Sequence, residues 1–310
     1  MKRVLVTGAY GFLGRYTALL FKKKGYRVIG IGHGHWGFER PEKYGFDEWI
    51  AADVDQSGLS HVHGRIDSVV HCAGGSSVAA SLTHPLREFQ RTVGSTGAVL
   101  EFLRIKNPNA VLIYPSSVAV YGDQKDIALI EDCGAKPVSP YGFYKKIVEG
   151  LCESYSRNFE ITVAIVRFFS IYGVGLQKQL LWDACCKLTA DAEKAKFYGT
   201  GTETRDWLNV ADAAELIFSL SEIITNGFEI YNGGSGRRLT VNEILTILSM
   251  ELGSSVTFVM GGENKPGDPK HYWADIQKAL KLGWSPQTDI KTGLREYVHW
   301  FTKHLNRPKK

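Results

Sequence analysis

Along the first half of the chain, short and nearly unbroken apolar runs alternate with segments where apolar residues recur every three or four positions. The runs lie near 3–7, 27–31, 49–52, 67–72, 109–114 and 161–167. Several are rich in β-branched residues, as in strands buried on both faces of a parallel sheet, and the periodic segments between them predict helices. This alternation predicts an α/β fold built on a doubly wound parallel sheet. Beyond about residue 170 the strand signals shorten, and helical patterns at 177–190, 240–252 and 290–304 dominate. That change predicts a smaller, mostly helical C-terminal substrate lobe. The expected division is residues 1–170 with about 206–232 in the large domain, and 171–205 with 233–310 in the lobe.

The first strand, KRVLVTG, passes directly into GAYGFLG and then into RYTALLFKKKG, a helical segment that stops at Gly25. Strand, glycine turn and helix in that order form a dinucleotide-binding fingerprint of Rossmann type. Gly8 permits the tight turn, Gly11 lets backbone approach a pyrophosphate, and Gly14 lets the helix pack against the strand, with Phe12 and Leu13 between them. The start of the helix then aims backbone N–H groups at the phosphates. The second strand, YRVIGIG, is followed by His33, Gly34 and His35, with no acid before Glu39. A site for NAD commonly places Asp or Glu at that strand end to hold the ribose hydroxyls. Without one, a 2′-phosphate meets no repulsion, and Arg15 and His33 are candidates to contact it. NADP(H) is therefore favoured over NAD(H).

Tyr141 and Lys145 stand one helical turn apart in SPYGFYKKIVEG, and Ser116–Ser117 follow the apolar strand AVLIYP. A phenol becomes a useful acid or base when its proton affinity falls, and a lysine one turn along the same face is placed to lower it. Bringing a tyrosine from its ordinary pKa near ~10 to neutrality needs roughly 4 kcal/mol. A Tyr-x-x-x-Lys spacing also occurs as plain aromatic packing at a helix start; the glycine turn at the other end of the chain favours the chemical reading.

Together these segments resemble the extended short-chain dehydrogenase/reductase family, in its nucleotide-sugar epimerase, dehydratase and reductase group. The resemblance runs nearly end to end through VTGAYGFLG, AADV, VVHCAG, YPSSVAVYGD, SPYGFYKK, VRFFSIYGVG, GTGTETRDWLNVADAA, YNGGSG, KPGD and ADIQKALKLGW. It implies that Tyr141 is the acid/base, that Lys145 binds the nicotinamide ribose and lowers the tyrosine pKa, and that Ser117 hydrogen-bonds the reacting oxygen. It implies that Asp53 and Val54 meet the adenine and that Ala73 and Gly74 pass the cofactor. Arg205 would clamp the substrate diphosphate, as a guanidinium fork suits phosphate oxygens. Ser170, Gln179 and Leu180 would touch the sugar nucleotide, and Lys265 would be a further phosphate partner. The same resemblance implies a homodimer built from helices near 84–106 and 140–157.

Departures from the family pattern narrow the chemistry. Val118 and Ala119 stand where 4,6-dehydratases carry an Asp-Glu pair, which disfavours dehydration. Val118 and KQLLWD also lack the cysteine and histidine of 3,5-epimerising relatives. Ser170 and Thr92 replace frequent asparagines, and Lys265 stands where arginine is usual.

With 310 residues, 44% hydrophobic content and a net charge of +5, the chain has the composition of an ordinary globular enzyme. Its basic residues form no stripe interleaved with aromatics, so no nucleic-acid partner is expected. No membrane span or signal peptide is read, and a cytoplasmic location is expected. Five cysteines show no metal spacing and their odd count argues against a disulfide framework. His33/His35 and His61/His63 lack a completing acid or cysteine cluster, so no metal is expected.

The expected substrate is a nucleoside-diphosphate hexose undergoing hydride transfer at C4. The leading expectation is a 4-keto-sugar reductase using NADPH; the alternative is a 4-epimerase with resident NAD. Ser117, Tyr141 and Lys145 serve both reactions, and the carboxylate-free second strand tips the choice. A third reading, a non-catalytic nucleotide-binding scaffold, leaves the poised phenol without a purpose.

Overall fold

The computed structural model describes every residue except His35, Gly37, Phe38, Ser76, Lys125, Asp191 and residues 263–269 and 306–310. Strands β1 (Arg3–Thr7), β2 (Arg27–Gly32), β3 (Glu48–Ala51), β4 (Ser68–His71), β5 (Val111–Ser117) and β6 (Val163–Phe168) join the strand Phe228–Gly233 in one sheet. All neighbours in it run parallel. The spatial order is Phe228–Gly233, β6, β5, β4, β1, β2, β3. Residues alternate between two cores: Val4 and Val6 pack on one face, with Phe21 and Leu216, while Leu5 packs on the other, with Leu100 and Val148. The two-residue period of a strand buried on both sides accounts for the unbroken apolar runs.

Chain order reverses between β1 and β4, and a crevice opens at the C-terminal ends of the strands there, where ligands bind in open α/β sheets. The Gly8 turn, the Cys72–Gly74 segment and Ser117 all meet at that edge.

A third core gathers Leu181, Cys185, Ile244, Leu248, Tyr297 and Phe301 from the helices Gln179–Leu188, Val241–Leu252 and Ile290–Leu305. The middle helix opens on a capping box, Thr240 with Glu243, and stops at Gly253, whose φ is +60°. Ala279 and Trp284 pack into a core of the sheet instead, and the Trp284 indole donates to the Asp212 carbonyl at 3.1 Å. The stretch read as a single helix near 84–106 is three pieces: Pro85–Phe89, a π-turn at Gln90–Gly94, and Ser95–Lys106. Among the described residues no helix is long and apolar enough to cross a membrane.

Candidate active site

One open cleft of about 1620 Å³ runs from the glycine turn to the third core. Drug-sized ligands occupy roughly 300–1,000 Å³, so this cleft has room for two elongated ligands end to end. Its floor is built from residues that tolerate no Cβ. Gly8 has φ +60°, and an added Cβ would lie 2.5 Å from the Ala73 nitrogen. At Gly14 it would lie 2.8 Å from the Gly8 carbonyl oxygen, so the helix Phe12–Lys23 packs directly on the turn. That helix begins at Gly11 without a side-chain cap, leaving its first N–H groups facing the cleft. This cradle fits a dinucleotide pyrophosphate, and Gly8, Gly11, Phe12, Leu13, Gly14, Ala73 and Gly74 all line it.

At the far end of β5, Ser117 caps the following turn by accepting from the Ala119 N–H at 3.2 Å. The long helix Pro140–Phe159 starts opposite, with Ser139 as its cap and Pro140 at its first position. Tyr141 therefore enters on the first turn, its N–H donating to Ser81 Oγ at 3.1 Å. Lys145, one turn on, is buried and donates to the Pro115 carbonyl at 2.8 Å, with its ammonium 4.5 Å from the centre of the Tyr114 ring. Ser117, Tyr141 and Lys145 thus line the same cleft as the glycine turn.

Burial dominates the electrostatics of Tyr141. Burial raises its proton affinity, the neighbouring Ser117 hydroxyl pulls the other way, and Tyr272 and Glu88 raise it further. The Lys145 ammonium is held by the Pro115 carbonyl and lies over the Tyr141 ring, 5.9 Å from its centre. Burial brings the Lys145 pKa itself down to about 8, with Cys72 and Glu149 opposing.

Behind the site, Glu149 accepts from Ser116 Oγ at 2.6 Å and pairs with Arg167 at 2.8 Å, both side chains nearly inaccessible. This pair ties the long helix to β5 and β6.

At the ribose end, His33 and Asp53 line the cleft, with His33 Nε2 2.8 Å from Asp53 Oδ1; Val54 is beside them. The end of β2 is therefore not carboxylate-free, because its neighbour β3 brings Asp53 across. Arg15 lies outside the cleft lining, its guanidinium 5.5 Å and 5.1 Å from the Tyr10 and Tyr44 ring centres. The physical basis for preferring NADP(H) thus weakens on both counts.

On the substrate side, Ser170, Gln179, Leu180 and Arg205 share the cleft. Gln179 holds a left-handed backbone, φ +67°, at the start of its helix. Arg205 donates to the carbonyls of Thr204 at 2.8 Å and Lys270 at 3.0 Å, and its guanidinium lies 4.4 Å from the Tyr272 ring centre. Lys265 lies outside the described residues. Sequence reasoning missed Ser81 and Tyr272. A bridge between Thr204 and His271 brings Tyr272 to the cleft, a contact across many residues that leaves no local signal. Thr92, noted only as a departure, accepts the Gly75 N–H at 2.9 Å.

A model of the NAD dependent epimerase/dehydratase family matches residues 4–234. A UDP-glucuronate 4-epimerase of Thermodesulfobacterium geofontis is 28% identical, over 97% of this chain and 96% of its own. Among solved structures, UDP-glucose 4-epimerase from Bifidobacterium longum, in complex with NAD+ and UDP, superposes with a TM-score of 0.88 at 25% identity, covering 98% of this chain and 99% of that one. UDP-glucuronic acid 4-epimerase from Bacillus cereus, in complex with UDP-glucuronic acid and NAD, gives 0.85 at 29% identity, covering 97% and 99%. These relatives are 4-epimerases, and the solved ones hold NAD. The findings favour the epimerase alternative over the reductase, and they do not support the NADP preference.

Proposed function

The chain belongs to the NAD dependent epimerase/dehydratase family, among the nucleotide-sugar enzymes of the extended short-chain dehydrogenase type, and within it we propose a UDP-sugar 4-epimerase that works with resident NAD. The meeting of Ser117, Tyr141 and Lys145 with a Cβ-intolerant glycine cradle in one cleft supports hydride transfer at a sugar carbon. The observation that favours the epimerase is that the similar proteins are 4-epimerases whose solved structures hold NAD. Gly8, Gly11 and Gly14 would hold the pyrophosphate, Asp53 the adenosine end, and Lys145 the nicotinamide ribose. Bound there, NAD supplies a reversible hydride acceptor.

Tyr141 takes the proton of the C4 hydroxyl while Ser117 holds that oxygen. The oxidised C4 is planar and open on both faces, so reduction from the other face inverts it, and Tyr141 returns the proton. Ser170, Gln179, Leu180 and Arg205 would hold the sugar nucleotide. The lobe built around the third core would supply most of that grip, and the sheet domain would carry the cofactor. We place a second copy of the chain as its partner, across the exposed faces of Pro85–Phe89 and Pro140–Phe159.

The test is to purify the protein without added cofactor, identify the dinucleotide released on denaturation, and assay interconversion of UDP-glucose and UDP-galactose. NAD release with cofactor-free interconversion is expected. Tyr141→Phe should keep its NAD and lose turnover by about 10²–10⁴-fold. Stoichiometric NADPH oxidation with a 4-keto sugar, without interconversion, overturns the epimerase in favour of the reductase.

A further inference from the structure

His71 closes β4 and pairs in register with Thr7, the last residue of β1, directly before the glycine turn. The imidazole is buried and meets three hydroxyls: Thr7 Oγ1 at 2.6 Å from Nδ1, and Thr96 Oγ1 at 3.0 Å and Ser95 Oγ at 3.4 Å from Nε2. The direction of each bond follows from the commitments of its neighbours. Thr96 donates its hydroxyl proton to the Thr92 carbonyl at 2.6 Å, and Ser95 donates to the Arg91 carbonyl at 2.7 Å. Both oxygens can then only accept from the ring, so Nε2 carries the proton. Burial lowers the pKa of His71 to about 3, so the ring is neutral and Nδ1 is bare. Thr7 must therefore donate to Nδ1, which leaves its oxygen to accept the Ala73 N–H at 3.2 Å.

The result is one directed chain: Ala73 N–H to Thr7, Thr7 to His71, His71 to Thr96, Thr96 to the Thr92 carbonyl. Its ends are the two walls of the cofactor end of the cleft. Ala73, Gly74 and Gly75 form one wall, and Gln90, Arg91 and Gly94 of the π-turn form the other. A second tie joins them directly, from the Gly75 N–H to Thr92 Oγ1. Hydrogen bonds in series polarise one another, so losing the central ring loosens both ends.

We propose that His71 is a positioning residue for the dinucleotide: its imidazole fixes the direction of a buried hydrogen-bond chain that sets the spacing between the Ala73–Gly75 segment and the π-turn. The inference rests on the reading that this cleft holds NAD. It assigns His71 no proton transfer and no contact with substrate.

The experiment measures NAD and UDP affinities of the apoprotein in wild type, Thr7→Val, Thr7→Ser and His71→Asn, with far-UV circular dichroism and thermal melts to establish folding. Thr7→Val keeps the shape but leaves the Ala73 N–H and Nδ1 unpaired. His71→Asn puts an acceptor near the Nδ1 position but reaches no further, so it breaks the chain at Thr96. Both should weaken NAD by about tenfold, with UDP affinity unchanged; Thr7→Ser, which restores the hydroxyl, should bind NAD as wild type does. A merely structural role would lower the melting temperature and move NAD and UDP affinities together, or neither, which overturns the proposal. Unchanged NAD affinity in folded Thr7→Val overturns it as well. Wild-type protein that takes up no dinucleotide would instead end the functional reading beneath it.

Discussion

Lys145 is the clearest case of burial acting on a charge. Its ammonium is buried and donates to the Pro115 carbonyl, and burial brings its pKa from 10.5 down to about 8. A folded-state pKa below the unfolded value contributes stability that is present above the unfolded pKa and lost as pH falls through the folded one. Between pH 8 and 10 the apoprotein should therefore gain stability relative to Lys145→Met, which has no proton to bind there. The full linkage is about 3 kcal/mol, of which most falls inside that window. Urea unfolding of both proteins at several pH values measures it, and parallel stability curves would count against the buried ammonium. The raised phenol of Tyr141 is common to both proteins and drops out of the difference. The pairing of Tyr141 with Lys145 was legible because four residues make one turn of any helix. That the ammonium would also bond the Pro115 carbonyl was not, since β5 arrives from thirty positions away in sequence.

At the scale of elements, the long helix is locked to the sheet by Glu149 and Arg167, whose guanidinium also lies 4.7 Å from the Tyr121 ring centre and donates to the Glu131 carbonyl at 2.8 Å. Removing one member of a buried pair strands the other charge, which costs about 3–5 kcal/mol, whereas replacing both with apolar residues is often neutral. Glu149→Leu should thus be destabilised by that amount in urea unfolding, and Glu149→Leu with Arg167→Met should recover most of it. Equal losses in the single and double variants would remove the pair from this role. The sheet strands were legible because burial on both faces writes a continuous apolar run, as in VLV of β1 and VAIV of β6. The π-turn at 90–94 was not, because its carbonyls are taken by Ser95 and Thr96 hydroxyls and no periodicity records that. Asp53 was read as an adenine contact, yet its approach to His33 depended on β2 and β3 lying side by side.

For the whole molecule, the helix that delivers Tyr141 to the cleft presents an apolar face to solvent on its other side. Phe143 and Ile147, one turn apart, are 51% and 45% exposed, and Leu86 on Pro85–Phe89 is 69% exposed. Phe89 packs edge-on against Tyr144, whose hydroxyl donates to the Pro85 carbonyl at 3.1 Å, so the two helices form one continuous surface. Contiguous apolar patches of this kind mark interaction sites, and a face shared by two helices suits a two-fold copy of itself. A second copy there would brace the helix on the side opposite the site, coupling assembly to the placement of Tyr141 and Lys145. Phe143→Glu with Ile147→Glu should give a monomer by light scattering after gel filtration, against a dimer for wild type. The monomer should keep its fold by circular dichroism and lose catalytic rate more than NAD affinity, because the cradle stands on the sheet and the phenol on the helix. A wild-type monomer at tens of micromolar would leave this face to some other partner and remove the coupling.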